Sequence, residues 1–307
     1  MRSLTAPTSG WVRWFDAPAP PERLATFRIL LFGFATAYLL ARLPVFASLA
    51  DDAAGRWDTV GVLWWLRTPP PAAVVTAALV AALAGGLLAT AGVVYRVAGP
   101  LCAGAVLVLT TIRSSTGQLL WFENLFVLHL LVIALAPAAD ARRVRRRELV
   151  RGAGPLEPSV RYGHPLRLAA AVTVLTYALA GLAKLRGGGM AWLDGESLRR
   201  HVAYSATRLD VMGGTASPLA EPLLDAGWLL GPLAIATVVL ELGAPLVLVA
   251  RRLVVPWVVG VWLMHAAIAL TMFVVFPYPL LLIAFAPLFQ LERLGRGPAR
   301  EGSAAME

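Results

Sequence analysis

The sequence predicts an all-α, polytopic transmembrane helical bundle of about eight membrane helices with one short interfacial helix. Three observations predict it. The 307 residues are 58% hydrophobic and only 15% charged, with a mean hydropathy of +0.71, whereas a soluble domain carries about 25% charged residues. Apolar runs long enough to cross a bilayer recur along the chain. Arginines collect in the short segments between those runs, as the positive-inside rule requires. The net charge of +9 therefore reads as membrane topology, with membrane lipids as the surroundings and no nucleic-acid partner. Cys102 is the only cysteine and lies in an apolar run, which excludes an internal disulfide, CxxC redox chemistry and a cysteine-rich metal site. His129, His164, His201 and His265 have no metal-ligand spacing, so no metal is expected.

Taken in order, residues 1–23 form a polar, proline-rich cytoplasmic segment with Trp11 and Trp14 as interfacial anchors. Residues 24–43 are the first crossing. The VFASLA that follows resembles a signal-peptidase site, but the length of the run and the spans after it favour a retained helix. Within 51–71, Trp57, Val60 and Trp64 recur at helical spacing beside Arg56, Asp58 and Arg67, which predicts the interfacial helix on the outer face. Residues 72–94, 97–112 and 119–138 are the next crossings, the first of them rich in the small residues that suit close helix packing. The arginine-dense stretch 139–165 is a cytoplasmic loop, read as a topology signal or as a surface for anionic lipid. A fifth span covers 166–185, a polar outer excursion 186–226, and a sixth span 228–249. The run 253–289 is too long for one helix and is broken by Pro277 and Pro279, so two crossings are expected, the last one short and either tilted or re-entrant. The membrane domain is thus 24–291, and 292–307 is a disordered cytoplasmic tail. Both termini fall in the cytoplasm of a cell (plasma) membrane protein. No internal repeat of the transporter type is evident.

Lys184 is the only lysine among 27 Lys+Arg. A basic residue snorkelling to the headgroups is one reading, but arginine would serve there equally well. Lysine can lose its proton in apolar surroundings and act as a base, which arginine cannot. Thr173, Tyr177, Gly181 and Lys184 share one helix face, so the lysine continues a polar stripe. Ionisable groups inside spans cost about 2.5–3.5 kcal/mol each at a helix centre, so each needs a partner or a task. Arg28 and Glu241 are expected to form a structural ion pair. His265, one turn after Trp262, is either hydrogen-bonded packing or a proton relay. His129 lies round the helix from Asn124 and reads as structural. Glu123 and Asn124, at the outer end of the fourth span, either meet a ligand or satisfy neighbouring helices. Alternation of the spans puts them at the depth of Lys184, in a site open to the outside.

Tyr177-x-x-Ala180-Gly181-x-x-Lys184-Leu185, followed by Trp192-x-Asp194-Gly195-x-Ser197, resembles the HTTM (horizontally transferred transmembrane) domain family of vitamin K-dependent gamma-carboxylase-like membrane proteins. ATFRILLFG around Arg28, ELGAP from Glu241, and His265 followed by FPYPLLLIAFAPLF extend the resemblance over about Trp14 to Phe289. It implies that Lys184 is the base that deprotonates a reduced quinone of the vitamin K or menaquinone type, with His265 in the same membrane site. Tyr177, Asn124, Glu123 and Trp192 are then candidate substrate-binding residues. The departures are specific. Ala183 stands where the carboxylases have a second lysine, the link to Trp192 carries Gly187-Gly188-Gly189, and the extramembrane part that docks a protein substrate is not expected in a chain ending at Glu307.

Two readings follow. One is a lyase-like or quinol-epoxidising membrane enzyme acting on a lipid-soluble small molecule. The other is a non-enzymatic carrier, or a structural partner of a membrane or extracytoplasmic redox protein, in which Lys184 pairs an anion or a carboxylate such as Glu123. Lys184→Arg separates them, because arginine preserves charge pairing but not base catalysis.

Overall fold

The computed structural model describes residues 10–52, 55–117, 122–141 and 157–293; among them the regular elements are helices joined by turns and loops, with one isolated β-bridge. Five helices are long and apolar enough to cross a membrane: Pro21–Ala41 (α1), Ala72–Ala91 (α2), Tyr95–Ser115 (α3), Val160–Gly188 (α5), and the stretch Arg251–Met272 that contains α8 (Val254–Met272). Phe122–Ala134 (α4) and Gly227–Leu242, which contains α7 (Leu230–Leu242), are shorter apolar helices. Against the expected count of about eight crossings, the described residues hold five helices of spanning length and two shorter apolar ones. The last apolar segment is not a spanning helix. It folds as one turn at Pro277–Leu280 and a 3-10 stretch at Ile283–Leu288, with Leu282 at φ +61° between them. Pro277, Pro279 and Pro287 each remove a backbone donor that a longer α-helix would need. The arginine-dense part of the 139–165 loop, at 142–156, and nearly all of the 292–307 tail lie outside the described residues.

The chain divides into two compact units, Met1–Ala169 with Ala286–Glu307, and Ala170–Phe285. In the first, α1 starts with Pro21 at its first position and Glu22 in its first turn, a preset φ and a favourable charge at the helix N-terminus. Helix α2 follows three prolines and ends on Gly92 at φ +68°, where Gly92 N donates to Ala89 O and Val93 N to Leu88 O. This left-handed cap reverses the chain into α3. Small residues let the helices approach. A Cβ on Gly86 would stand 2.4 Å from Thr36 Oγ1, and one on Gly85 would stand 3.0 Å from Ala98 O. Cys102 is buried and free at this contact.

The expected interfacial helix in 51–71 does not form. Asp51 and Asp52 close the short helix Leu49–Asp52, and between Arg56 and the prolines at 69–71 the helical element is one 3-10 turn, Gly61–Leu63. Gly61 sits at φ +58°, and the segment instead takes its hydrogen bonds from α3: Asp58 N donates to Ser115 O and Val60 N to Ser115 Oγ. Trp57 Nε1 closes the loop on Leu66 O, leaving Trp64 and Trp65 exposed.

The start of the chain is more structured than a polar leader requires. Gly10–Phe15 is helical, Ala19 and Ser159 exchange an antiparallel bridge, and Phe15 stacks on His164 at 4.7 Å. Gly163 permits this, since a Cβ there would lie 2.2 Å from Ala17 O. At the other end, Arg23 grips Glu292 with both arms of its fork, Nε to Oε2 at 2.8 Å and Nη2 to Oε1 at 2.6 Å. The side-chain hydrogen bonds from Arg23 hold the Glu292 carboxyl below its ordinary range. A group lowered in the folded state contributes stability above its unfolded pKa, about 4.3, and loses it as pH falls through the folded value. Below about pH 4, amide exchange at 291–293 should therefore rise. Glu292→Gln should raise it at pH 7 without acid; protection that is insensitive to both would show that the fork does not anchor this segment.

Candidate functional site

The polar stripe on α5 faces protein along its length in the second unit. Thr173 Oγ1 donates to Ala284 O at 2.9 Å. One turn on, Tyr177 Oη and His265 Nε2 of α8 lie 2.8 Å apart. Gly181 then brings α7 close, since a Cβ there would be 3.0 Å from Glu241 Cβ and Leu242 Cγ. At the next position Lys184 Nζ donates to Glu241 Oε1 at 2.5 Å and stands 5.1 Å from the centroid of the Trp192 ring. Seven residues separate Tyr177 from Lys184, about 10 Å along the helix. Two polar pairs are thus stacked on one face of α5.

Aromatic rings enclose the lower pair. Trp257 meets Tyr177 edge-on at 5.4 Å, Phe285 stacks on Tyr177 at 6.0 Å, and Phe276 lies 4.8 Å from His265. Trp257 Nε1 and Trp262 Nε1 are tied to Leu240 O and Leu280 O. The upper pair depends on the glycine run. A Cβ on Gly188 would stand 2.1 Å from Trp192 Cδ1, and Gly189 turns the chain at φ +51° into Met190–Leu193. Any larger residue at 188 would push Trp192 off the end of α5. Asp194 Oδ1 accepts from Glu196 N, which starts α6 (Glu196–Val211). Gly195, at φ +88°, lets this turn back onto Leu230 and Gly231 at the head of α7, where a Cβ would be 2.4 Å from Gly231 N.

That antiparallel fit corrects the expected placement of the lysine at the end of its span. Helix α5 continues to Gly188, and the Lys184–Glu241 contact lies ten residues, about 15 Å, along α7 from Gly231. The chain beyond Arg186, read as a polar excursion, therefore begins as a continuation of the bundle. Two polar atoms in this region are buried without a hydrogen-bond partner: Glu241 Oε2 and His265 Nδ1. Their side chains are among the least exposed polar groups of the unit.

Arg28 and Glu241, expected as an ion pair, each have partners within their own unit. Glu241 takes Lys184. Arg28, in the first unit, donates to Ala138 O at 3.0 Å and Thr90 O at 3.2 Å and lies over the Tyr95 ring. Its guanidinium there satisfies a carbonyl in the last turn of α2, a group the helix leaves without an internal partner. Glu123, also in the first unit, is not open to a ligand. Tyr38 Oη donates to its Oε1 and Arg113 pairs with its Oε2. Asn124 beside it is exposed. His129 is structural as expected, its Nε2 at 2.9 Å from Ala169 O and its ring edge-on to Phe27.

Sequence reasoning missed Arg113. It is fully buried, with its guanidinium over the Phe46 ring. The available signal was an arginine at the end of one apolar run and a glutamate at the start of the next, ten residues apart. Removing one partner of a buried pair strands the other charge, at a cost of about 3–5 kcal/mol. Arg113→Met should lower thermal stability in detergent by that order, and adding Glu123→Leu should restore much of it. Equal losses in the single and double variants would show that the pair is not the source. Comparison with protein-family models, with curated proteins and with solved structures finds no match for this chain.

Proposed function

We propose that the protein is an HTTM-type enzyme of the cell membrane, both termini cytoplasmic, with carboxylase-like chemistry on a reduced quinone or another lipid-soluble hydroxyl compound. The observation that carries this reading is the stack of Lys184–Glu241 on Tyr177–His265, with a buried oxygen and a buried ring nitrogen left without partners. Unsatisfied buried polar atoms are costly, and a ligand with hydroxyl groups would supply what they lack. A reduced quinone supplies the O–H to be deprotonated and the electrons for reaction with oxygen.

In this reading Lys184 is the base. Its amine takes the hydroxyl proton of the ligand, and the ammonium formed stays beside the new anion. Glu241 Oε1 and the Trp192 ring orient the amine. His265 is fixed through Nε2 by Tyr177, which leaves Nδ1 as its remaining polar atom for a ligand oxygen. The aromatic enclosure by Trp257, Phe276 and Phe285 keeps water from that ring.

A second reading is favoured by the same ion pair. A lysine held at 2.5 Å from a carboxylate already has its charge compensated, which suits a non-enzymatic carrier or a structural partner of a redox protein. Oxygen-dependent epoxide formation from reduced vitamin K or menaquinone, in membranes containing the protein, separates the two. Under the enzyme reading the parent turns over, and Lys184→Ala and Lys184→Arg each lose about 100-fold or more, the range of a positioned general base. No turnover in a folded parent protein with several quinols would favour the carrier or partner reading, whereas full activity in Lys184→Arg would show that Lys184 is not the base.

A further inference from the structure

Among the described residues, the pair of Lys184 with Glu241 differs from the pairs that arginine makes. Arg23 closes a fork on both oxygens of Glu292, and both oxygens of Glu123 are occupied, one by Arg113 and one by Tyr38. Asp140 and Glu196 also take arginine. Among the described residues, only Glu241 is served by lysine, and it keeps one oxygen, Oε2, buried and unpaired. An arginine at 184 could have engaged a carboxylate with two parallel bonds, whereas the lysine ammonium is a point charge that leaves the second oxygen open. A half-satisfied buried pair contributes little to stability and can oppose it. Its arrangement therefore needs another reason.

We propose that Glu241 is a positioning residue that latches Lys184 in the resting protein: it holds the amine against the Trp192 ring and keeps its proton in place. Lys184 becomes a free amine only when that carboxylate is engaged elsewhere, through Oε2. The step conserves atoms and charge. An N–H bond of the ammonium breaks and its proton passes to Glu241 or to solvent, while the amine keeps its electron pair; no oxidant is involved. Among the described residues, Tyr177 senses Glu241 and His265 senses Lys184. Both are on the inner side of the stack, and neither supplies Glu241 Oε2 with a donor. The latch deepens the enzyme reading, for which a controlled base is useful, but it can be measured without any substrate.

Because Lys184 is the only lysine, its chemistry can be followed without interference from another side-chain amine. The full chain in phosphatidylcholine nanodiscs is treated with acetic anhydride across a pH series, and acetylation of Lys184 and of the N-terminal α-amine is quantified by peptide mass spectrometry. Only neutral amines react. In the wild-type protein, Lys184 should remain far less acetylated than the α-amine at pH 7, and its rate should rise with pH to a midpoint. In Glu241→Gln the ammonium loses its counter-charge, so that midpoint should move to lower pH by at least one unit, seen as a tenfold or greater rise in labelling at pH 7. Glu241→Asp, which keeps the charge on a shorter arm, should fall between.

An unchanged midpoint in a folded Glu241→Gln protein would overturn the latch. So would wild-type Lys184 labelling as fast as the α-amine at pH 7, a result that needs no variant and decides the matter if the substitutions do not fold. Failure of the enzyme reading has a different signature, absence of quinol turnover with the labelling shift intact.

Discussion

Every charge placed among apolar helices in this protein must find an opposite charge, a carbonyl or a ring, and the arrangement of the helices follows from meeting that demand. Water is absent from the hydrocarbon region, and the cost of an unpartnered ion there exceeds that of almost any packing defect. Arg28 meets the demand with carbonyls near the ends of α2 and α4. Arg113 meets it with Glu123 and the Phe46 face, joining the end of α3 to the start of α4. Lys184 meets it with Glu241 and Trp192, joining α5 to α7. Packing by small residues then brings the helix axes close enough for short polar contacts. Gly181 beside Glu241 and Gly86 beside Thr36 are the clearest cases, because a methyl group at either would push a neighbouring side chain away.

What was legible in the sequence divides along the range of the interactions. Apolar runs with prolines before them mark α1 and α2, and Gly92 after the second marks its end, because propensity, capping and hydropathy agree there. The stripe Thr173, Tyr177, Gly181, Lys184 was legible from the 3.6-residue period alone, and each of its polar members meets a partner of the second unit. The partners themselves were not legible. Glu241 stands 57 positions from Lys184, and with two buried cations and two buried glutamates in view, periodicity does not say which meets which. Helical spacing also misled at Trp57, Val60 and Trp64. There Gly55, Gly61 and the run of prolines at 69–71 outweighed the pattern, and the backbone bonded to the end of α3. In the last apolar segment hydropathy suggested a crossing while three prolines between 277 and 287 forbade a continuous helix.

The glycine run at 187–189 illustrates how a stretch of small residues acquires a physical meaning. As a sequence feature it was only a longer link between Lys184 and Trp192. In the structure Gly188 is the space that Trp192 occupies and Gly189 is the reversal that brings the ring back over the lysine. The run therefore places the Trp192 ring beside the amine of Lys184. Ala183, two positions on from the buried Gly181, is exposed.

The choice of lysine is explained by what arginine does elsewhere in the chain. Arginine forks onto both oxygens of a carboxylate and remains charged at any accessible pH, which suits the fixed attachment of residues 291–293 to α1. At position 184 a fork would saturate Glu241 and remove the one open acceptor on this face of the bundle. A single ammonium leaves Oε2 available, retains only one bond to break, and can exist without its proton. If selection had favoured rigidity alone, the chain's own preference for arginine would have extended to this site. Under the proposed latch the pair is a contact built to be released, unlike the two-oxygen grip of Arg23 on Glu292.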